Sequence, residues 1–281
     1  MLGAADVAGA DRDRPLGRGS TMNALKDKWA KDEPTFGLWA TLDSVLATET
    51  MARSGFDYVC VDNQHGVNDY VGTVGHLQAI DAGDTTPVVR VPWNEPGVIG
   101  KMLDAGAEGI IVPMVNSVDE AQAAVRACRY APAGARSFGP VRASLRDPDY
   151  YAGANASIAC IPMIETEQAV AAIDDILAVP GIDAVYVGPA DLSVTLGLAP
   201  GNNDDAPAFT EALETIVAAC RRHDVVAGIH ASPGLAQRRV DMGFSMVTVS
   251  ADSVALRTGL DAAIAAARGG APSSGADGLI Y

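Results

Sequence analysis

The chain has 281 residues, 48% of them apolar, and a formal net charge of −15 at pH 7. A chain of this length can bury a large core, and no apolar run reaches the roughly 18–20 residues that a membrane span needs. The acidic balance repels phosphate backbones and anionic lipid, which speaks against nucleic acid and membranes as partners and requires any anion site to be built locally.

The first 22 residues are small and polar and lack the apolar stretch of a signal peptide. They read as a disordered or artefactual extension, and Met22 opens the first amphipathic segment. Eight short apolar, β-rich runs follow in order: FGLWAT (36–41), YVCVD (58–62), PVVRV (87–91), GIIVPM (109–114), IACIPMIE (158–165), AVYVG (184–188), VVAGIH (225–230) and SMVTVS (245–250). Each precedes a segment of helical period, at about 43–54, 67–82, 95–106, 117–128, 166–178, 207–222, 232–242 and 251–267. Continuous apolar runs alternating with helices indicate parallel strands covered on both faces. Eight such units close into a (β/α)8 TIM barrel. An open doubly wound sheet is the weaker alternative, because no GxGxxG follows the first strand. The expected organisation is one barrel over 23–268 and a Gly/Ser-rich flexible tail over 269–281. Two connections, 129–157 and 189–206, are long enough to suggest function. The four cysteines, Cys60, Cys128, Cys160 and Cys220, are widely spaced with no CxxC pair, which fits a reducing cytoplasm.

Polar residues fall at the strand ends, where barrels place their chemistry. Glu165 closes the fifth run and Asp191 follows the sixth. Two such carboxylates suit a hard cation, Mg²⁺ or Mn²⁺ with Co²⁺ as a further candidate, although Glu165 would also serve as a helix cap and Asp191 as a turn cap. Asp62 precedes Gln64 and His65, and a histidine oriented by a carboxylate suits proton abstraction at carbon. Arg90 lies inside an apolar strand and must be paired or face a polar cavity. It would bind a carboxylate or an enolate, or form an internal salt bridge to Asp62. His230 reads as a packed barrel residue or a substrate contact. Arg136 and Arg142, in the first long loop, read as solvated or as a grip on a distal substrate carboxylate. The lysines are Lys26, Lys28, Lys31 and Lys101, and none falls at a strand end, so no Schiff-base lysine is in place and an enolising barrel has to use a metal.

The strings VDNQHG (61–66), PVVRVPWNEP (87–96), KMLDAGAEGIIVPMV (101–115), RYAPAGARSFGPVRAS (129–144), MIETEQA (163–169) and GPADLS (188–193) together resemble the HpcH/HpaI aldolase family, which includes 4-hydroxy-2-oxoheptanedioate and 2-dehydro-3-deoxy sugar-acid aldolases. The resemblance runs in register over 23–267. It implies a phosphoenolpyruvate/pyruvate-binding type of barrel and a class II lyase that reversibly cleaves a 4-hydroxy-2-oxo acid to pyruvate and an aldehyde. It implies Glu165 and Asp191 as metal ligands, Arg90 at the enolate oxygen, and His65 held by Asp62 as the base. The backbone of Gly188, Pro189 and Ala190 would meet the pyruvate carboxylate, and Asp104 would reach the site of a neighbouring subunit. It also implies a homohexamer of dimers with exchanged C-terminal helices. A CoA-thioester lyase on the same barrel is the alternative, disfavoured by the sparse basic residues, and a non-catalytic oxo-acid-binding protein is a weaker one. Two departures stand out: Gln64 replaces the glutamate common before the histidine, and Met163 replaces a glutamine found in some relatives.

Overall fold

The apolar runs become strands β1 (Thr35–Ala40), β2 (Tyr58–Asp62), β3 (Thr86–Arg90), β4 (Gly109–Val112), β5 (Ala159–Pro162), β6 (Ala184–Val187), β7 (Val226–His230) and β8 (Met246–Ala251) in the computed structural model, which describes residues 23–269. The expected extension over 1–22 and the expected tail beyond Gly269 lie outside the described residues. The strand pairings among the described residues are parallel, in the order β5-β4-β3-β2-β1-β8-β7-β6. A bridge between Met163 and Tyr186, with Ile164 N–H donating to the Tyr186 carbonyl at 2.9 Å, joins the two ends of that order and closes the barrel.

The continuous hydrophobicity of the strands now has its reason. In β2, Tyr58 and Cys60 point into the barrel, while Val59 and Val61 point outward to the helices, so both faces are buried. The interior is filled by Trp39, Tyr58, Ile111, Ile161, Tyr186 and Met246 among others. Gly37 makes room there, because a Cβ at that position would lie 2.2 Å from the Tyr58 ring. The four cysteines are buried and unpaired.

The helices begin where their capping side chains sit. Ser44, Asp69, Ser117 and Thr166 accept from Ala47, Gly72, Glu120 and Ala169 amides, each satisfying an otherwise orphan donor of the first turn. The helix expected over 166–178 is two, Glu167–Ala171 and Ile173–Leu177, separated at Ala172. The segment 129–157 contains helices Ala143–Arg146 and Tyr150–Ser157. The segment 189–206 begins with helix Pro189–Thr195, and its far end is tied down by the fully buried Arg239, whose Nη2 donates to Asn202 and Asp204 at 2.9 and 2.6 Å. An additional helix, Ala24–Trp29, opens the described chain and buries Leu25 and Trp29. No helix among the described residues is long and apolar enough to cross a membrane.

Candidate active site at the strand ends

Parallel pairing sets Asp62 directly beside Arg90, each the last residue of its strand. Arg90 donates from Nε to Asp62 Oδ1 at 2.8 Å and from Nη2 to Oδ2 at 2.7 Å, so the internal salt bridge expected from the residues is present and two-pronged. The face of the guanidinium lies against Trp39, with Cζ 4.2 Å from the ring centroid. Both charges are almost completely buried. Burial pushes the Asp62 carboxyl up, but the Arg90 bonds and charge, with the amides of Gln64 and His65, outweigh it and hold the group below its ordinary value. Two of the five guanidinium N–H groups are used on Asp62, and Nη1 has no hydrogen-bond partner among the described residues.

Asp62 orients His65 differently from the expectation. Its Oδ1 accepts the backbone N–H groups of Gln64 and His65, at 3.0 and 3.3 Å, rather than the imidazole. A carboxylate already spent on a guanidinium has its lone pairs in the plane of that pair, and the chain turns back over it so that the amides meet the remaining ones. The His65 side chain is left exposed at the rim. The Gln64 side-chain carbonyl is enclosed with no hydrogen-bond partner among the described residues.

Glu165 follows β5 by three residues and is 1% exposed. Its Oε1 accepts the Met114 amide at 2.7 Å, and Met114 reaches that position with a φ of 56°, in the left-handed region where a side chain is strained. Oε2 lies against Gly188, where a Cβ would come within 2.5 Å of it. Burial raises the Glu165 carboxyl to about 7; the Met114 amide lowers it, the neighbouring Asp191 charge raises it, and Arg90 lowers it. Asp191 itself is exposed on the first turn of helix Pro189–Thr195. Asp191, on the helix after β6, and Arg90, at the end of β3, are therefore both within electrostatic reach of Glu165.

His230 ends β7, its ring edge-on to Trp39 with centroids 5.1 Å apart and its Nδ1 3.5 Å from the Tyr186 hydroxyl. Thr248 Oγ1 gathers Trp39 Nε1, the Tyr58 hydroxyl and the Tyr186 hydroxyl at 2.9, 2.8 and 2.6 Å, making a polar hub under the site. The His230 ring is packed in this way against Trp39 and Tyr186. Burial, then the Arg90 charge, lower its pKa to about 4 against an opposing Asp62. The folded protein thus holds this ring neutral, and stability is full above the unfolded value of 6.5 and lost as pH falls from 6.5 to about 4. The loss approaches about 3 kcal/mol at one group. Urea unfolding at pH 7.0, 5.5 and 4.5 should show a shallower acid decline for His230→Gln than for the unsubstituted protein, and identical slopes would refute the assignment.

Arg136, Arg142 and Asp104 are placed elsewhere. The segment 129–157 runs from a helix into the start of β5, so it lies at the N-terminal ends of the strands, opposite Glu165. Arg136 donates to Asp104 at 2.7 Å and to the Tyr150 hydroxyl at 2.9 Å, and Arg142 binds the Ala105 carbonyl at 2.6 Å and pairs with Asp81. The expectation that these arginines grip the substrate is corrected for the site of their own chain: both are paired at the helix ends beneath the barrel. Trp39, Thr248 and Met114 were not singled out from the residues. Trp39 had a signal, since it alternates into the interior of β1, but the left-handed turn at Met114 has none.

Comparison with known proteins agrees with this fold. The HpcH/HpaI aldolase/citrate lyase family model matches residues 35–258. A protein of Salmonella arizonae named 4-hydroxy-2-oxo-heptane-1,7-dioate aldolase is 40% identical over 264 residues, covering 92% of this chain and 99% of its own. The crystal structure of a family protein from Burkholderia cenocepacia superposes with a TM-score of 0.82 at 34% identity, over 88% of this chain and all of that one. Macrophomate synthase gives a TM-score of 0.80 at 28% identity over 91% of this chain and 94% of its own. With strand ends, barrel and sequence in agreement, the chain belongs to the HpcH/HpaI aldolase/citrate lyase family, a family of carbon–carbon lyases.

Proposed function

We propose that this protein is a class II pyruvate aldolase that reversibly cleaves a 4-hydroxy-2-oxo acid to pyruvate and an aldehyde, with a divalent cation on Glu165 and Asp191. The observation that carries this reading is the Glu165–Asp191 pair beside Arg90. Burial and the Asp191 charge both disfavour ionised Glu165, and a hard cation between the two carboxylates would reverse that cost. The donor set fits Mg²⁺ or Mn²⁺, with Co²⁺ also accommodated by oxygen ligands. Among the described residues no third His, Cys, Asp or Glu joins the pair, so the other positions fall to water and substrate oxygens. Such a cation, when bound, supplies Lewis-acid polarisation of the 2-oxo group.

The chain's own groups do the rest. Arg90 Nη1 donates to the oxygen that gains charge as the C3–C4 bond breaks, already aligned by Asp62 and Trp39. From its exposed rim position the His65 imidazole takes the C4 hydroxyl proton, directly or through water, as the C3–C4 bond breaks, and returns a proton to C3 of the enolate to give pyruvate. Ala190 and Asp191 amides, unpaired in a helical first turn, face the substrate carboxylate. Pro189 has no N–H and shapes the turn, and the enclosed Gln64 carbonyl awaits a donor from the substrate. Asp104 and Arg136 can serve only the site of a second copy. An assembly of dimers into a hexamer is supported by the C-terminal helix Asp252–Ala267, which exposes Val254, Leu256, Leu260 and Ile264. The unpaired, buried cysteines suit a reducing cytoplasm.

The test is release of pyruvate from a panel of 4-hydroxy-2-oxo acids, including the heptanedioate, after chelation and then with Mg²⁺, Mn²⁺ or Co²⁺ restored. Activity is expected to vanish and return with the cation; full activity in EDTA would defeat the reading. Gly188→Ala offers a second check. Its Cβ would displace Glu165 Oε2 or the Met163 methyl, which lies 3.0 Å away. Mn²⁺ affinity should fall about 10- to 100-fold, and an unchanged dissociation constant would separate Gly188 from metal binding.

A further inference from the structure

We propose that Asp252 is a positioning residue for proton transfer: through the two peptide units at the end of β1 it fixes the turn that presents His65. The inference rests on the reading of His65 as the proton-transfer group. Asp252 is the first residue of the C-terminal helix and the one residue of its 16 that is buried. A carboxylate in that position ordinarily serves its own helix. Here only Ser253 N–H, at 2.8 Å, belongs to that helix. The other donors come from the end of β1: Thr41 N–H at 2.9 Å, Thr41 Oγ1 at 2.7 Å and Leu42 N–H at 3.0 Å. Four neutral donors and no cation among the described residues satisfy this buried charge.

The opposite ends of the same two peptide units hold the turn after β2. Leu42 N–H shares its peptide with the Thr41 carbonyl, which accepts Val67 N–H at 3.0 Å. Thr41 N–H shares its peptide with the Ala40 carbonyl, which accepts Asn68 Nδ2 at 3.1 Å. Each peptide therefore lies between an anion on its N–H and a donor on its C=O, and each bond strengthens the other. The turn from Asp62 to Asn68 is pinned at its start by the Asp62 carboxylate on the His65 amide and at its end by these two bonds. Gly66 packs so close to the Asp62 carbonyl, 2.3 Å for an added Cβ, that the turn has little slack between its pins. A shift of Thr41 is thereby a shift of His65.

The experiment follows exchange of the pyruvate methyl protons with solvent deuterium, together with Mn²⁺ affinity and amide exchange at Val67. Asp252→Asn keeps the shape and loses the charge and one acceptor. It is expected to lower kcat for exchange at least tenfold, to leave KM for pyruvate and the Mn²⁺ dissociation constant within twofold, and to speed amide exchange at Val67. Should Asp252→Asn fail to fold, Thr41→Val removes the hydroxyl with its bonds to Asp252 and Ser253, keeps both backbone N–H bonds to Asp252, and is expected to lower kcat about threefold with the same pattern. Exchange within twofold of the unsubstituted protein in whichever variant folds, or a loss that appears as weaker Mn²⁺ binding, overturns the proposal. His65→Ala separates the two levels: absent exchange there with normal exchange in Asp252→Asn overturns the positioning role alone, whereas normal exchange in His65→Ala overturns the base assignment and the positioning role with it.

Discussion

Glu165→Gln is expected to lower kcat/KM for aldol cleavage about a thousandfold or more, equivalent to ~4 kcal/mol of lost transition-state stabilisation, while leaving the metal-free protein as stable as before or more so. The two effects have opposite signs for one reason. Glutamine fills the same volume and can still accept the Met114 amide through its carbonyl oxygen, so packing and the strained turn at Met114 are kept. What disappears is a buried charge beside Asp191 that burial already disfavours. Removing such a charge relieves the metal-free fold but deletes one of the two carboxylates proposed to hold the cation. Mn²⁺ binding by paramagnetic resonance, thermal unfolding at pH 8 and steady-state kinetics on the same preparation check the three parts. Retention of Mn²⁺ affinity and of kcat/KM within tenfold would show that the cation sits elsewhere.

Arg90→Met should do the reverse to stability. Truncating one partner of a buried ion pair leaves Asp62 unpaired, at a cost of about 3–5 kcal/mol, or roughly 10 °C in Tm for a domain of this size. Asp62 would keep only the amides of Gln64 and His65, and the Trp39 face would lose its cation. Activity should fall by about 10²–10³ as well, since the lost donors are those proposed to meet developing charge. Pairing the change with Asp62→Leu isolates the two effects: the double variant is expected to regain most of the lost Tm and none of the activity. A single variant that melts with the unsubstituted protein would mean that the pair is not structural at all.

The fold was legible because both strand faces are apolar, so each strand reads as an unbroken run and the helices between them as periodic ones. Asp62, Arg90, Glu165 and His230 were legible as polar residues at the ends of those runs, and the Asp62–Arg90 bond follows from their places on neighbouring strands. The segment 129–157 was misplaced although its position was available from chain order: a connection from helix to strand lies at the opposite end of a barrel from one leading strand to helix. Its length and its Gly and Pro content carried no information about which end it occupied. Met114 and the turn at His65 were beyond reach for another reason. Their geometry depends on backbone torsions set by partners 51 and 3 residues away, Glu165 and Asp62, and such torsions leave no periodic trace in residue type.

The carboxyl at Glu165, poised at about 7, has a consequence for stoichiometry. Near neutral pH a cation entering this pair does not simply add to the protein; it exchanges with a proton that leaves for the buffer. Below pH 7 the apparent association constant should therefore drop by close to a factor of ten per pH unit. The measured heat of Mn²⁺ binding should change with the ionisation enthalpy of the buffer, the slope counting the protons released. With the cation held on Glu165 and Asp191 as proposed, a single buried glutamate would make cation loading a readout of the surroundings' acidity as much as of their metal content.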